Sequence, residues 1–87
     1  MVLEIYTPEQ KYFEGQVESV IFPGSGGSFQ VLNNHAALIS TLDRGKVKYK
    51  DKKEEWEVII DGGVVEVLNN RVVLLADGIT EVEEGAV

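Results

Sequence analysis

The chain has no cysteine. That excludes a disulfide framework, a thiolate metal site and a thiol nucleophile, and it fits a reducing compartment. It has one histidine, His35, so a catalytic zinc site, which needs three or four ligands, is not expected there. No apolar run approaches the roughly eighteen residues of a membrane helix. The opening MVLEIYTPEQ carries neither a basic leader nor a long apolar stretch, so a signal peptide is not expected either. Basic residues are outnumbered, 8 Lys and Arg against 15 Asp and Glu, for a formal net charge of -7. Such a balance argues against a general affinity for nucleic-acid phosphates or anionic lipid headgroups. Aromatics are few and scattered, one Trp, three Tyr and three Phe, which gives a carbohydrate or small-ligand pocket little to build on.

What is present is a core. Eighty-seven residues with 44% hydrophobic content suffice for a single domain, expected to span residues 1–87. Apolar and polar residues alternate in Leu3-Glu4-Ile5, Glu18 to Phe22, Lys46 to Lys50 and Glu55 to Val58, a period of two and not 3.6. Turn signals recur at Thr7-Pro8-Glu9, Gly15, Pro23-Gly24, Asn33-Asn34, Asp43-Arg44-Gly45, Asp51-Lys52-Lys53, Asp61-Gly62-Gly63, Asn69-Asn70 and Asp77-Gly78, leaving room for about ten short strands. The fold class is therefore all-β, a sandwich or barrel. Two hairpins are predicted: Lys46–Lys50 with Glu54–Ile60, and Val64–Leu68 with Arg71–Ala76 across Asn69-Asn70. The run Val72-Val73-Leu74-Leu75-Ala76 does not alternate, so its hairpin is expected to be covered on both faces.

Pro23 to Leu42, PGSGGSFQVLNNHAALISTL, is the least ordinary stretch. Gly24, Gly26 and Gly27 allow positive φ or close approach of another surface, and the segment reads as a contact surface. Gly24 to Phe29 fails the dinucleotide fingerprint because Phe29 stands where the last glycine should be, and no Gly-Lys-Ser/Thr follows to make a phosphate loop. Ser25 or Ser28 with His35 and Asp43 make a triad only on paper, without a nucleophile elbow or oxyanion signature. The lysines at 46, 48, 50, 52 and 53 are followed by Glu54, Glu55 and Glu57; they read as the solvated side of a hairpin with cross-strand charge pairing. Trp56 shares a face with Val58 and Ile60 and is expected in the core.

Several of these pieces, taken in order, resemble a known family. They are Leu3-Glu4-Ile5, Thr7-Pro8-Glu9, Tyr12-Phe13-Glu14-Gly15, Pro23-Gly24-Ser25, Ser28 to Leu32, His35-Ala36-Ala37-Leu38-Ile39, Arg44-Gly45, Gly62 to Val67 and Val73 to Asp77. Their order and spacing are similar to the N-terminal domain of the epsilon subunit of F-type ATP synthase, over nearly the whole chain. The resemblance implies a ten-stranded β-sandwich and a non-catalytic rotor part, with no cofactor, no metal and no small-molecule substrate of its own. It implies the gamma subunit and the membrane c-ring as partners, at the cytoplasmic face of a bacterial inner membrane, peripheral through protein contacts. The turn Gly24, Ser25, Gly26, Gly27 and Ser28 corresponds to the family's c-ring contact. His35, Ala36, Ala37, Leu38 and Ser40, with Thr7 beside them, correspond to its gamma-facing surface. A free-standing β-sandwich binding module for a small ligand or protein is the alternative. The chain departs from the family by Asn33-Asn34 in place of Pro-Gly, Ala37 in place of a proline and Ser28 in place of an acid. It closes at Val87 after Glu81-Val82-Glu83-Glu84-Gly85, so the family's two C-terminal regulatory helices are expected to be missing.

Overall fold

The alternation is realised as ten strands in a computed structural model that describes residues 1–81; the end from Val82 to Val87 lies outside the described residues. In chain order they are β1 (Val2–Tyr6), β2 (Lys11–Gln16), β3 (Ser19–Gly24), β4 (Gly27–Leu32), β5 (Leu38–Leu42), β6 (Gly45–Lys50), β7 (Glu55–Ile60), β8 (Gly63–Leu68), β9 (Arg71–Ala76) and β10 (Ile79–Glu81). One hydrogen-bonded path runs β10-β7-β6-β3-β5-β8-β9-β1-β2, and β4 pairs with β3 off that path. The step from β3 to β5 is a single pair, Gly24 with Leu42. At that corner the sheet folds over, giving one layer of β10, β7, β6, β3 and β4 and a second of β5, β8, β9, β1 and β2. On the opposite side Phe13 of β2 closes the layers, its ring 4.8 Å from Tyr49 and 5.6 Å from Trp56.

Side chains that point between the layers are buried: Leu3, Ile5, Val20, Phe22, Val31, Val47, Ile60, Val65, Val72 and Leu74 are all 0% exposed. Both predicted hairpins form, β6 with β7 from Gly45↔Ile60 to Lys50↔Glu55, and β8 with β9 from Gly63↔Ala76 to Leu68↔Arg71. Asn69 and Asn70 turn the second one with φ of 51° and 61°, the left-handed pair that a two-residue hairpin turn demands. Gly63 starts β8 so close to β9 that a Cβ there would lie 2.3 Å from the Leu75 carbonyl.

Two readings need correction. The run Val72 to Ala76 is not covered on both faces: Val72, Leu74 and Ala76 point inward, whereas Val73 is half-buried and Leu75 is 51% exposed. Its lack of alternation comes from apolar residues on an outer face, not from a third layer. Trp56 packs against the core but is only half-buried, stacked on Tyr49 with centroids 5.4 Å apart where β2 closes the sandwich. The lysine hairpin does carry the expected cross-strand pairing: Lys46 and Lys48 reach Glu57 at 3.5 and 3.3 Å. The bond from Lys48 holds the Glu57 carboxyl below the usual range.

Candidate interaction surfaces

The Gly-rich turn sits at the corner of the sandwich. β3 and β4 pair up to Gly24↔Gly27, which leaves Ser25 and Gly26 as the connection. Two of the three glycines are required by geometry. A Cβ on Gly24 would lie 2.5 Å from the Gly27 carbonyl and 2.8 Å from the Phe29 ring, and Gly27 has φ of 128°; Gly26 has open space around it. The turn is fastened from one side, since the Ser25 amide donates to the Thr41 carbonyl, the Thr41 hydroxyl donates to Ser25 Oγ and the Asp43 amide donates to the Pro23 carbonyl. Ser25, Gly26, Gly27 and Ser28 are exposed and Gly24 is buried beneath them.

His35 is at the opposite end. Asn34, at φ of 62°, takes up the left-handed conformation that glycine would otherwise supply. Its amide donates to Asn70 Oδ1 at 2.7 Å, the Met1 amino group donates to Asn33 Oδ1 at 2.7 Å, and the His35 amide donates to the Leu32 carbonyl. His35 Nδ1 donates to the Ala36 carbonyl at 2.7 Å, which leaves Nε2 as the acceptor of the neutral ring. Ala36 and Ala37 are exposed, while His35, Leu38 and Ser40 are half-buried. Leu38 and Ser40 pair with the buried Val67 and Val65, so β5 turns Ile39 and Thr41 outward; Ile39 is 72% exposed. Sequence reasoning passed over Ile39 because Ala37-Leu38-Ile39 is apolar throughout and shows no alternation.

Thr7 is not brought beside His35. It follows Tyr6, which is level with Leu75, Val64 and Thr41 across β9, β8 and β5, and so belongs to the end that carries the Gly-rich turn. Its amide donates to the Gln10 carbonyl, and its hydroxyl accepts from the Gln10 amide. The paper triad is likewise divided, with Ser25 and Asp43 at one end and His35 at the other.

Between the two ends, the outer face of the second layer exposes Ile39, Leu68 and Leu75. Glu4 lies on this face yet is 4% exposed. Arg71 Nε donates to Glu4 Oε2 at 2.5 Å and the Tyr6 hydroxyl donates to Glu4 Oε1 at 2.6 Å, so each carboxylate oxygen has its own donor. These bonds, Arg71 first, hold the Glu4 carboxyl below the ordinary range, and the bond to Glu4 pushes the Tyr6 phenol up.

Residues 1–82 match the model of the ATP synthase delta/epsilon chain β-sandwich domain. The chain belongs to that family. Among relatives in it, an ATP synthase epsilon chain of Campylobacter concisus is 46% identical over 77 residues, covering 87% of this chain and 60% of the relative. One of Chlorobium limicola is 41% identical over 79 residues, covering 90% of each. The chain thus spans about 60% of the length of the Campylobacter relatives. Solved structures with the same fold include a chain of the Euglena gracilis mitochondrial ATP synthase OSCP/F1/c-ring assembly, with a TM-score of 0.90 over 97% of this chain and 54% of that one. A chain from the Tetrahymena thermophila mitochondrial ATP synthase central stalk and c-ring gives a TM-score of 0.81 over 97% and 74%. At 17% identity in both cases, these likenesses establish the fold.

Proposed function

We propose that this chain is a non-catalytic rotor subunit of an F-type ATP synthase, clamping the gamma subunit to the c-ring so that proton-driven rotation is coupled to ATP synthesis. The observation that carries the reading is the match of residues 1–82 to the delta/epsilon β-sandwich. The arrangement of the two candidate surfaces supports it. Ser25 to Ser28 stand out at one end for the polar loops of the ring, and His35, Ala36, Ala37, Leu38 and Ser40 lie at and above the other end for gamma, with Thr7 a gamma contact set apart from them, at the end that carries the Gly-rich turn. Both surfaces are pinned by hydrogen bonds to neighbouring strands, so load applied to one reaches the other through the sheet. Such a subunit sits at the cytoplasmic face of a bacterial inner membrane, held by protein contacts; among the described residues no helix is long and apolar enough to cross a membrane.

The test is binding of the tagged chain to purified gamma subunit and, separately, to purified c-ring. His35→Asp is expected to weaken gamma binding by about 1–3 kcal/mol, the range for an interface anchor, with ring binding unchanged. Gly26→Asp, placed in open space, is expected to do the reverse. A wild-type chain that is folded by circular dichroism and binds neither partner overturns the reading.

A further inference from the structure

The sheet ends in three strands, β10, β2 and β4. Two of these edges are guarded, since β10 is only three residues long and β2 carries Lys11 and Glu14. β4 has no such guard. Gly27–Leu32 holds no charged residue and no proline, and from Pro23 to Leu42 there is no Asp, Glu, Lys or Arg in a chain that is 26% charged. Edge strands ordinarily carry such residues because their open backbone groups recruit other strands. The two-residue connection Ser25-Gly26 makes Gly24↔Gly27 a hydrogen-bonded pair, so by alternation Phe29 and Val31 use their N–H and C=O groups on β3, while Ser28, Gln30 and Leu32 direct theirs away from it. Pro23, opposite Ser28, has no N–H to give across that pair. Among the described residues β4 pairs with β3 alone, and of the outward groups only the Leu32 carbonyl is taken, by the His35 amide.

The strand is complementary to itself. Turned about a twofold axis at Gln30, two copies of β4 run antiparallel with Gln30 against Gln30, Ser28 against Leu32 and Phe29 against Val31. The open groups of Gln30 then bond to each other, and those of Ser28 bond to Leu32 of the other copy, whose carbonyl has a second lone pair beside the one that His35 occupies. Phe29, half-buried at the rim of the core, gains a β-branched cross-strand neighbour, a favourable pairing. A twofold contact sets the residues near its axis against themselves, where any charge would meet its own like; β4 has none. We propose that in the unassembled chain β4 pairs with β4 of a second copy, antiparallel about Gln30, joining the two first layers into one continuous sheet. The pairing consumes the open edge, so association stops at two and the strand is withdrawn from open-ended strand addition. It concerns the free chain and does not rest on the rotor reading.

The experiment is sedimentation equilibrium of the full chain from about 1 μM to about 1 mM, with thermal melts to confirm folding. The wild type is expected to pass from monomer to dimer within this range, as the small contact of a single added strand allows. Gln30→Lys and Gln30→Glu each set like charges against each other on the axis and are expected to weaken the dimer more than about tenfold, whereas an equimolar mixture of the two restores it by placing Lys against Glu. Gln30→Thr, which is uncharged, should dimerise like the wild type, and no melt should shift by more than a few degrees, since the Gln30 side chain is exposed. Rescue in the mixture requires a contact that brings position 30 against itself. A wild type that stays monomeric at every concentration overturns the inference; if Gln30→Lys then also loses affinity for purified gamma subunit, the edge receives a strand of that partner instead. A dimer that Gln30→Lys leaves intact and Ile39→Asp abolishes lies on the second layer and overturns it as well. Species that grow beyond the dimer have the same effect, because the edge is then not closed by a twofold pair.

Discussion

Glu4 is ionised in the middle of a strand because both its oxygens are occupied, and its protonation therefore bears on folding. Arg71 and Tyr6 hold its carboxyl below the ordinary range in the folded chain, whereas the unfolded chain returns it to that range. Below the ordinary carboxylate range the unfolded state takes up more protons than the folded state, so the contribution is present above the unfolded value and is lost as pH falls through the folded one. Glu4→Gln is expected to lower the melting temperature at pH 7, and the gap to wild type should narrow as pH is brought down through the carboxylate range. A gap that stays constant from neutral pH to about pH 3 would mean that Glu4 contributes by shape and not by charge.

At the scale of the strand, β9 shows how far a pattern can be read. Its side chains alternate between the core and the outer face, Leu74 at 0% and Leu75 at 51% exposure. Leu74→Ala should cost on the order of 2–5 kcal/mol, and Leu75→Ala no more than about 1 kcal/mol, both measured as shifts of the urea unfolding midpoint. Comparable losses at the two positions would require cover on both faces. The all-β class, the two hairpins and the Asn69-Asn70 turn were legible because period-two alternation and left-handed asparagines are local signals. The pairing of β1 with β9 was not, since two strands far apart in sequence leave no mark on each other's residues. The same limit applies to the candidate surfaces. The Gly-rich and His35 turns stood out by residue type, whereas Ile39, Glu66 and Leu75 could not be assigned an outer face until their strands had neighbours.

Taken whole, the molecule separates its two candidate contacts by the length of the sandwich. Asn33-Asn34-His35 is tied to Asn70 and the Met1 amino group; Ser25 is tied to Thr41, and the two sites share no hydrogen-bond partner among these. Substitutions at sites so separated should act independently. In His35→Asp/Gly26→Asp, the loss of affinity for gamma is expected to equal that of His35→Asp alone within about 0.5 kcal/mol, and the loss for the c-ring that of Gly26→Asp alone. A larger discrepancy, measured by titration against each partner, would show that the sheet passes conformational change between its ends and does not act only as a rigid link.

The parallel pairing of the first strand with the ninth also sets an order of events at the ribosome. Leu3 and Ile5 are bracketed in the finished sheet by Phe13 and Gly15 on one side and by Val72 and Leu74 on the other. The β1–β2 hairpin can form as soon as it leaves the exit tunnel, but its second edge has no partner until Arg71 to Leu75 have been translated. A nascent chain must therefore leave one edge beside two buried-to-be side chains open until β9 has been synthesised. Closure of so long a loop is slow compared with hairpin formation, which makes β1 the strand that a trigger-type chaperone would find open for longest.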